Sequence, residues 1–106
     1  MNVTIKWLDG KQIYDIDISV VYQLGCLAVH RQYSETPDEK GQWKITHIPT
    51  GYSASGQVIL KTKRVAITVC QALAKLDWSS VTPNGGTSSA LFSAVRNVYF
   101  AHGLLR

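Results

Sequence analysis

Gln42–Gly56, QWKITHIPTGYSASG, decides how the middle of this 106-residue chain folds. Trp43, Ile45 and His47 alternate with Lys44, Thr46 and Ile48, the period of two that marks a strand. Pro49-Thr50-Gly51 ends it, because proline has no amide to give a ladder and glycine accepts a tight turn. GYSASG then leads to a second short strand, Gln57 to Leu60.

Working upstream, Leu27 to Tyr33 (LAVHRQY) reads as the partner strand, joined to Gln42–Ile48 across a polar loop at 34–41 that holds Pro37 and Gly41. Ser19 to Leu24 is β-branched and aromatic enough for a strand, with a bend at Gly25. At the start, Val3, Ile5 and Trp7 alternate with Thr4, Lys6 and Leu8. Asp9-Gly10 supplies a hairpin turn, and Lys11 to Ile18 resumes the alternation with Tyr14, Ile16 and Ile18 opposite to Asp15 and Asp17.

Working downstream, Thr62 is placed to cap a helix over Lys63 to Leu76 with an apolar stripe of Val65, Val69, Ala72, Leu73 and Leu76. After a loop at Asp77–Gly86, Thr87 or Ser88 caps a second helix that runs to His102. Leu91, Val95, Val98 and His102 share one face of it, flanked by Phe92 and Tyr99. Gly103 suits a left-handed helix end with Leu104 folding back as its apolar contact. Strands first and helices afterwards predict an α+β fold, a small antiparallel sheet of four to five strands packed against two C-terminal helices, in one domain spanning residues 1–106.

Composition agrees with one packed domain: 45% hydrophobic and 17% charged residues. A chain of this length buries somewhat under about 70% of its unfolded surface, so dimerisation would add useful burial. No run approaches the roughly 20 apolar residues of a membrane span, and MNVTIKWLDG lacks the layout of a signal peptide, so a cytoplasmic protein is expected. Cys26 and Cys70 lie in apolar stretches without CxxC spacing and read as free thiols. Eleven lysines and arginines against seven acids leave a net charge of +4, which favours anionic partners.

No motif for an enzyme is present. There is no GxSxG, no HExxH and no Walker or GxGxxG glycine pattern. Asn84-Gly85-Gly86-Thr87 before a helix reads as a loop and cap. The pair Asp15 and Asp17 reads as a solvated face. His30 and His47 fall on strands expected to pair, which would bring two imidazoles together, but no third metal ligand stands at a recognisable spacing. His102 suits the negative end of its helix dipole. The expectation is therefore no catalytic residue, no metal and no cofactor.

Binding candidates remain. Lys61, Lys63 and Arg64 form the one tight basic cluster, at a helix start where cations oppose the dipole and so call for a reason. Lys44 and Tyr52 join them as neighbours along the returning strand and its turn. Trp7 and Trp43 read as core, whereas Trp78, in the segment after the first helix, is a candidate partner anchor.

The segments LAVHRQY, WKITHIPTG, KTKRVA and AITVCQALAKLDWS, within residues 27 to 80, resemble small accessory proteins of bacteriophages and mobile elements. In those, a hairpin bearing W-x-(V/I)-T-H-x-P-T-G precedes a helix that opens on a Thr-Lys-Lys/Arg segment. The resemblance assigns no functional residue. It implies a protein that inhibits or modulates a host defence complex by occupying its surface, as anti-CRISPR proteins do. The basic charge disfavours mimicry of DNA and fits a host protein or ribonucleoprotein complex as partner. A small DNA- or RNA-binding domain using the same cations is the alternative.

Overall fold

The computed structural model describes residues 2–9, 12–31, 42–55, 58, 60–82 and 86–104. The order of elements is β1 (Asn2–Asp9), β2 (Gln12–Ser19), β3 (Tyr22–Leu24), β4 (Leu27–Arg31), β5 (Trp43–His47), α1 (Lys63–Leu73) and α2 (Ser89–Ala101). The α+β class expected from the sequence is the class observed. The five strands, however, divide into two antiparallel sheets, β1-β2 and β3-β4-β5.

The alternation in the first hairpin sets this division. β1 and β2 pair in register from Asn2↔Ser19 to Asp9↔Gln12, with Val3 opposite Ile18 and Ile5 opposite Ile16. Those four, with Val20 and Ile48, close over Ala28 of β4 as a small apolar cluster. The other hairpin face is polar: Thr4 Oγ1 donates to Asp17 (2.8 Å), and Lys6 Nζ meets Asp15 Oδ1 at 2.5 Å. The expected Asp9-Gly10 turn, the side chain of Trp7 and the 34–41 loop lie outside the described residues.

In the second sheet Gly25, at φ +59°, opens the two-residue turn that joins Leu24 to its partner Leu27, as the first position of a tight hairpin turn favours glycine. β4 is central, and alternation sends its residues to two different layers. Leu27 and Val29 face α1 together with Trp43 and Ile45, over Ala66, Val69, Cys70 and Leu73. Ala28 and His30, opposite Thr46 and Lys44, face the hairpin side. The layers are thus helices, three-stranded sheet and hairpin.

Tyr52, Ser53, Ala54 and Leu60 lie along the outer edge of β5. The His47 amide donates to Tyr52 (2.9 Å), the Ala54 amide to Ile45 (2.7 Å) and the Trp43 amide to Leu60 (2.9 Å). The strand expected over Gln57–Leu60 is, among the described residues, a single bridge between Leu60 and Trp43. This segment covers an edge that would otherwise expose unpaired backbone groups.

α1 is capped by Thr62, whose hydroxyl accepts from the Val65 amide at 3.1 Å. It ends at Leu73 rather than Leu76, and its buried stripe is Ala66, Val69, Cys70 and Leu73. Val69 and Leu73 hold their expected places, while Ala66 and Cys70 take the positions expected of Val65 and Ala72, and Val65 is exposed. Ser88 caps α2. Its far end closes as the sequence indicates: Gly103 has φ +71°, its amide donates to Phe100, and the Leu104 amide donates to Tyr99, the paired bonds of a Schellman end. His102 is exposed, off the expected apolar face, with its Nδ1–H donating to the Val98 carbonyl at 2.8 Å.

The Pro-Thr-Gly turn joins the two sheets. The Lys6 amide of β1 donates to the Gly51 carbonyl (2.8 Å), and Gly51, at φ +75°, sits so close that a Cβ there would lie 2.9 Å from the Thr4 carbonyl oxygen. Gly51→Ala is expected to lower unfolding free energy by about 2 kcal/mol or more in chemical denaturation, from backbone strain plus that collision. Gly25→Ala meets no atom within 4 Å, so only the conformational part of that loss is expected there.

Candidate binding surface

The ends of three adjacent segments meet where β4 ends and β5 begins. Arg31 pairs with Trp43, and Trp43 bridges to Leu60. At strand spacings of about 4.8 Å these three positions span about 10 Å. Lys44 follows Trp43, and Lys61, Lys63 and Arg64 follow Leu60 into the first turn of α1. Lys61, Lys63 and Arg64 therefore stand beside the Arg31–Trp43 end of the central sheet. The Arg31 guanidinium lies 4.7 Å from the centroid of the Trp43 ring, a cation–π contact that holds it over the buried indole.

These side chains differ in environment. Lys61, Lys63 and Arg64 are exposed, and α1 carries no acid in its first turn. Lys44 is half-buried on the hairpin side of β5, and desolvation pulls its ammonium below the usual lysine range. Of the acids whose side chains are described, Asp15 and Asp17 sit on the outer face of the hairpin, and Asp77 lies beyond the other end of α1. Lys61, Lys63 and Arg64 thus stand together at the start of α1, with Arg31 at the neighbouring strand end on the helix side, whereas Lys44 faces the opposite, hairpin layer and does not join them. The only signal of Arg31 in the sequence was its place at the end of LAVHR.

Tyr52 and Trp78 do not join this cluster. Tyr52 pairs with the His47 end of β5, four residues or about 13 Å from Trp43. Trp78 lies past the C-terminus of α1, an 11-residue helix about 16 Å long. Its Nε1–H donates to the Leu73 carbonyl at 2.8 Å, and its ring stacks on His47 at 5.6 Å between centroids and 25° between planes. Trp78 closes the end of α1 as a half-buried wall between two grooves. One, of 480 Å³, is lined by Cys26, His47, Pro49, Thr50, Ser79 and Val81. The other, of 270 Å³, lies between α2 and Ser53, Ala54, Ser55 and Val58. Neither groove was legible in the sequence, since each is built from segments that only the fold brings together.

The two histidines expected to meet are separated by the sheet. Residues facing each other across β4 and β5 are His30 with Lys44 and His47 with Leu27, so the imidazoles point to opposite layers. His30 donates Nδ1–H to the Arg31 carbonyl (2.7 Å) and takes the Thr46 hydroxyl on Nε2 (2.6 Å), which fixes a neutral tautomer. Burial, aided by the Lys44 charge, holds its pKa below the ordinary histidine value. Among the described residues no group of three or more His, Cys, Asp or Glu is placed to hold a metal ion. Cys26 and Cys70 are free thiols, as the sequence suggested, and burial pushes Cys70 up to about 11.

Two outcomes follow. A histidine whose folded pKa lies below its unfolded value binds more protons when unfolded, so its stabilisation is present above about pH 6.5 and is lost as pH falls toward the folded value. Denaturant titrations between pH 7.5 and 5 should show stability falling with acid, with a slope for this one proton of at most about 1.4 kcal/mol per pH unit. His30→Gln should flatten that dependence. In thiol titration at pH 7.5, the half-buried Cys26 should react first, and the fully buried Cys70 only on unfolding. Comparison of the chain with protein-family models, with curated proteins and with solved structures finds no match.

Proposed function

We propose that this protein is a non-enzymatic accessory protein of the bacteriophage and mobile-element kind, acting in the host cytoplasm by covering a surface of a defence complex, in the manner of anti-CRISPR proteins. The observation that supports the reading is the run of exposed cations Lys61, Lys63 and Arg64 at the start of α1, beside the Arg31–Trp43 end of the central sheet. Such a patch steers association with an anionic surface and fixes its orientation. Placing three of the cations against the positive end of a helix dipole costs stability, about 0.3–1 kcal/mol for each charge. A contact with an acidic partner offsets that cost.

A second reading uses the same cations on nucleic acid. Clustered lysines and arginines are what phosphate binding needs. Sequence-tolerant strand binding also uses exposed aromatic rings for stacking, and Trp43, the ring among the described residues at this end, is buried beneath Arg31. A protein surface is therefore the better fit.

Charge reversal separates these readings from a merely structural role. The triple variant Lys61→Glu, Lys63→Glu, Arg64→Glu should be as stable as the parent or more so, because acids in a first helical turn favour the dipole. It should also lose capture of the host complex from nuclease-treated lysate. Binding to bare DNA or RNA that falls steeply with salt in fluorescence anisotropy, together with capture that vanishes after nuclease, would move the assignment to a nucleic-acid-binding domain. Unchanged capture by the triple variant would remove this surface from the interaction.

A further inference from the structure

We propose that the groove between α2 and Ser53, Ala54, Ser55 and Val58 is a docking site for an acidic peptide segment of a protein partner, which seats one large apolar side chain against Phe92, Val95 and Tyr99 and places a carboxylate on Arg96. The groove measures 270 Å³ and has walls of Ala54, Val58, Trp78, Phe92, Val95 and Tyr99. An apolar cavity of roughly 150 Å³ is enough to hold benzene, so a phenylalanine or leucine side chain fits.

The polar tips of its two largest buried or half-buried rings are already engaged. The Tyr99 hydroxyl donates to the Ala54 carbonyl (2.9 Å), and the Trp78 indole N–H donates to Leu73. What these rings present to the groove is therefore their apolar surface. Phe92, at 60% exposed, stands on the rim where an incoming side chain would cover it. Leaving that ring in water is unfavourable by an amount that scales with the apolar area.

Charge selects the occupant. Among the described residues Arg96 is the one charged residue lining the groove, and no carboxylate pairs with it. Its guanidinium lies 5.3 Å from the Phe100 ring centroid. Stacking of that kind holds the planar group in place and leaves its edge N–H donors to receive a carboxylate in bidentate fashion. A second copy of the chain is a poor occupant, because it carries the same +4 charge.

Val58 lines the groove, and Lys61 is three residues further along the chain, at most about 11 Å away. An extended peptide anchored beside Phe92 would thus carry acids three or four residues from its anchor to Lys61, Lys63 and Arg64. This extension rests on the protein-binding role proposed for that end, whereas the anchor and the Arg96 contact do not.

The experiment is selection of 12-residue peptides from a random display library on the intact protein, followed by titration of the recovered peptide into ¹⁵N-labelled protein. Expected are sequences with one Phe, Trp or Leu and at least two Asp or Glu within five residues, and chemical-shift changes centred on Phe92, Val95 and Arg96. Arg96→Glu should weaken the peptide at least tenfold and Phe92→Ser at least fivefold; both side chains are exposed, so neither loss reflects unfolding. Recovery of peptides without acids, shifts centred elsewhere, or no recovered peptide would overturn the proposal. The triple reversal of Lys61, Lys63 and Arg64 distinguishes the two claims. If it weakens the peptide fivefold or more, groove and basic end act on one ligand. If it has no effect while Arg96→Glu does, the groove stands and the basic end is removed from this contact.

Discussion

The burial of β4 on both faces is the constraint on which the other elements depend. Leu27, Ala28 and Val29 have no accessible surface and His30 almost none, so each face of the three-stranded sheet needs a cover of its own. α1 covers one through Ala66, Val69, Cys70 and Leu73, and the β1-β2 hairpin covers the other through Val3 and Ile5. A continuous sheet of five strands would leave one of those faces in water. Folding the hairpin over as a separate layer removes it, and the two-sided burial explains why LAVH reads as an unbroken run rather than an alternation.

The polar groups caught between the layers are matched. His30 uses both ring nitrogens, one on the Arg31 carbonyl and one on the Thr46 hydroxyl, and no fully buried side-chain nitrogen or oxygen among the described residues lacks a partner. Satisfying them matters because an unpaired buried polar group costs about 1–3 kcal/mol, a large share of what a domain of this size has to lose. The same economy appears at the HIPTG segment. Its turn ends β5, binds β1 through Gly51, and positions Thr50 3.0 Å from His47 Nδ1. The features that look in the sequence like a recognition motif are largely the joint between two sheets.

The surface left after this packing is divided by charge and polarity. Exposed cations collect where α1 starts at the sheet margin, because a chain end there is solvated and can carry charge without desolvation. The apolar groove lies along the same covering segment, at residues 53–55 and 58, whose first task is to protect the edge of β5. One stretch of irregular chain thus closes the sheet, floors the groove and delivers Lys61 to the basic end. Structural and binding demands meet there without competing, since the backbone does the first and the side chains the second.

Local features of the chain were decided by the sequence itself. The paired alternation of β1 and β2, the caps at Thr62 and Ser88, the turn glycines and the left-handed end at Gly103 depend on contacts within a few residues, or on the period of a single strand. So do the α+β order and the basic segment at Lys61–Arg64. Tertiary structure alone decided the rest: the split into two sheets, the exchange of Val65 and Ala72 for Ala66 and Cys70 in the α1 stripe, the separation of His30 from His47, the withdrawal of Lys44, Tyr52 and Trp78 from the basic end, and the grooves beside Trp78. Each of these is set by which face of an element meets which neighbour. Strand periodicity assigns two residues to opposite faces of a strand, but only the packing of layers determines what each face will touch.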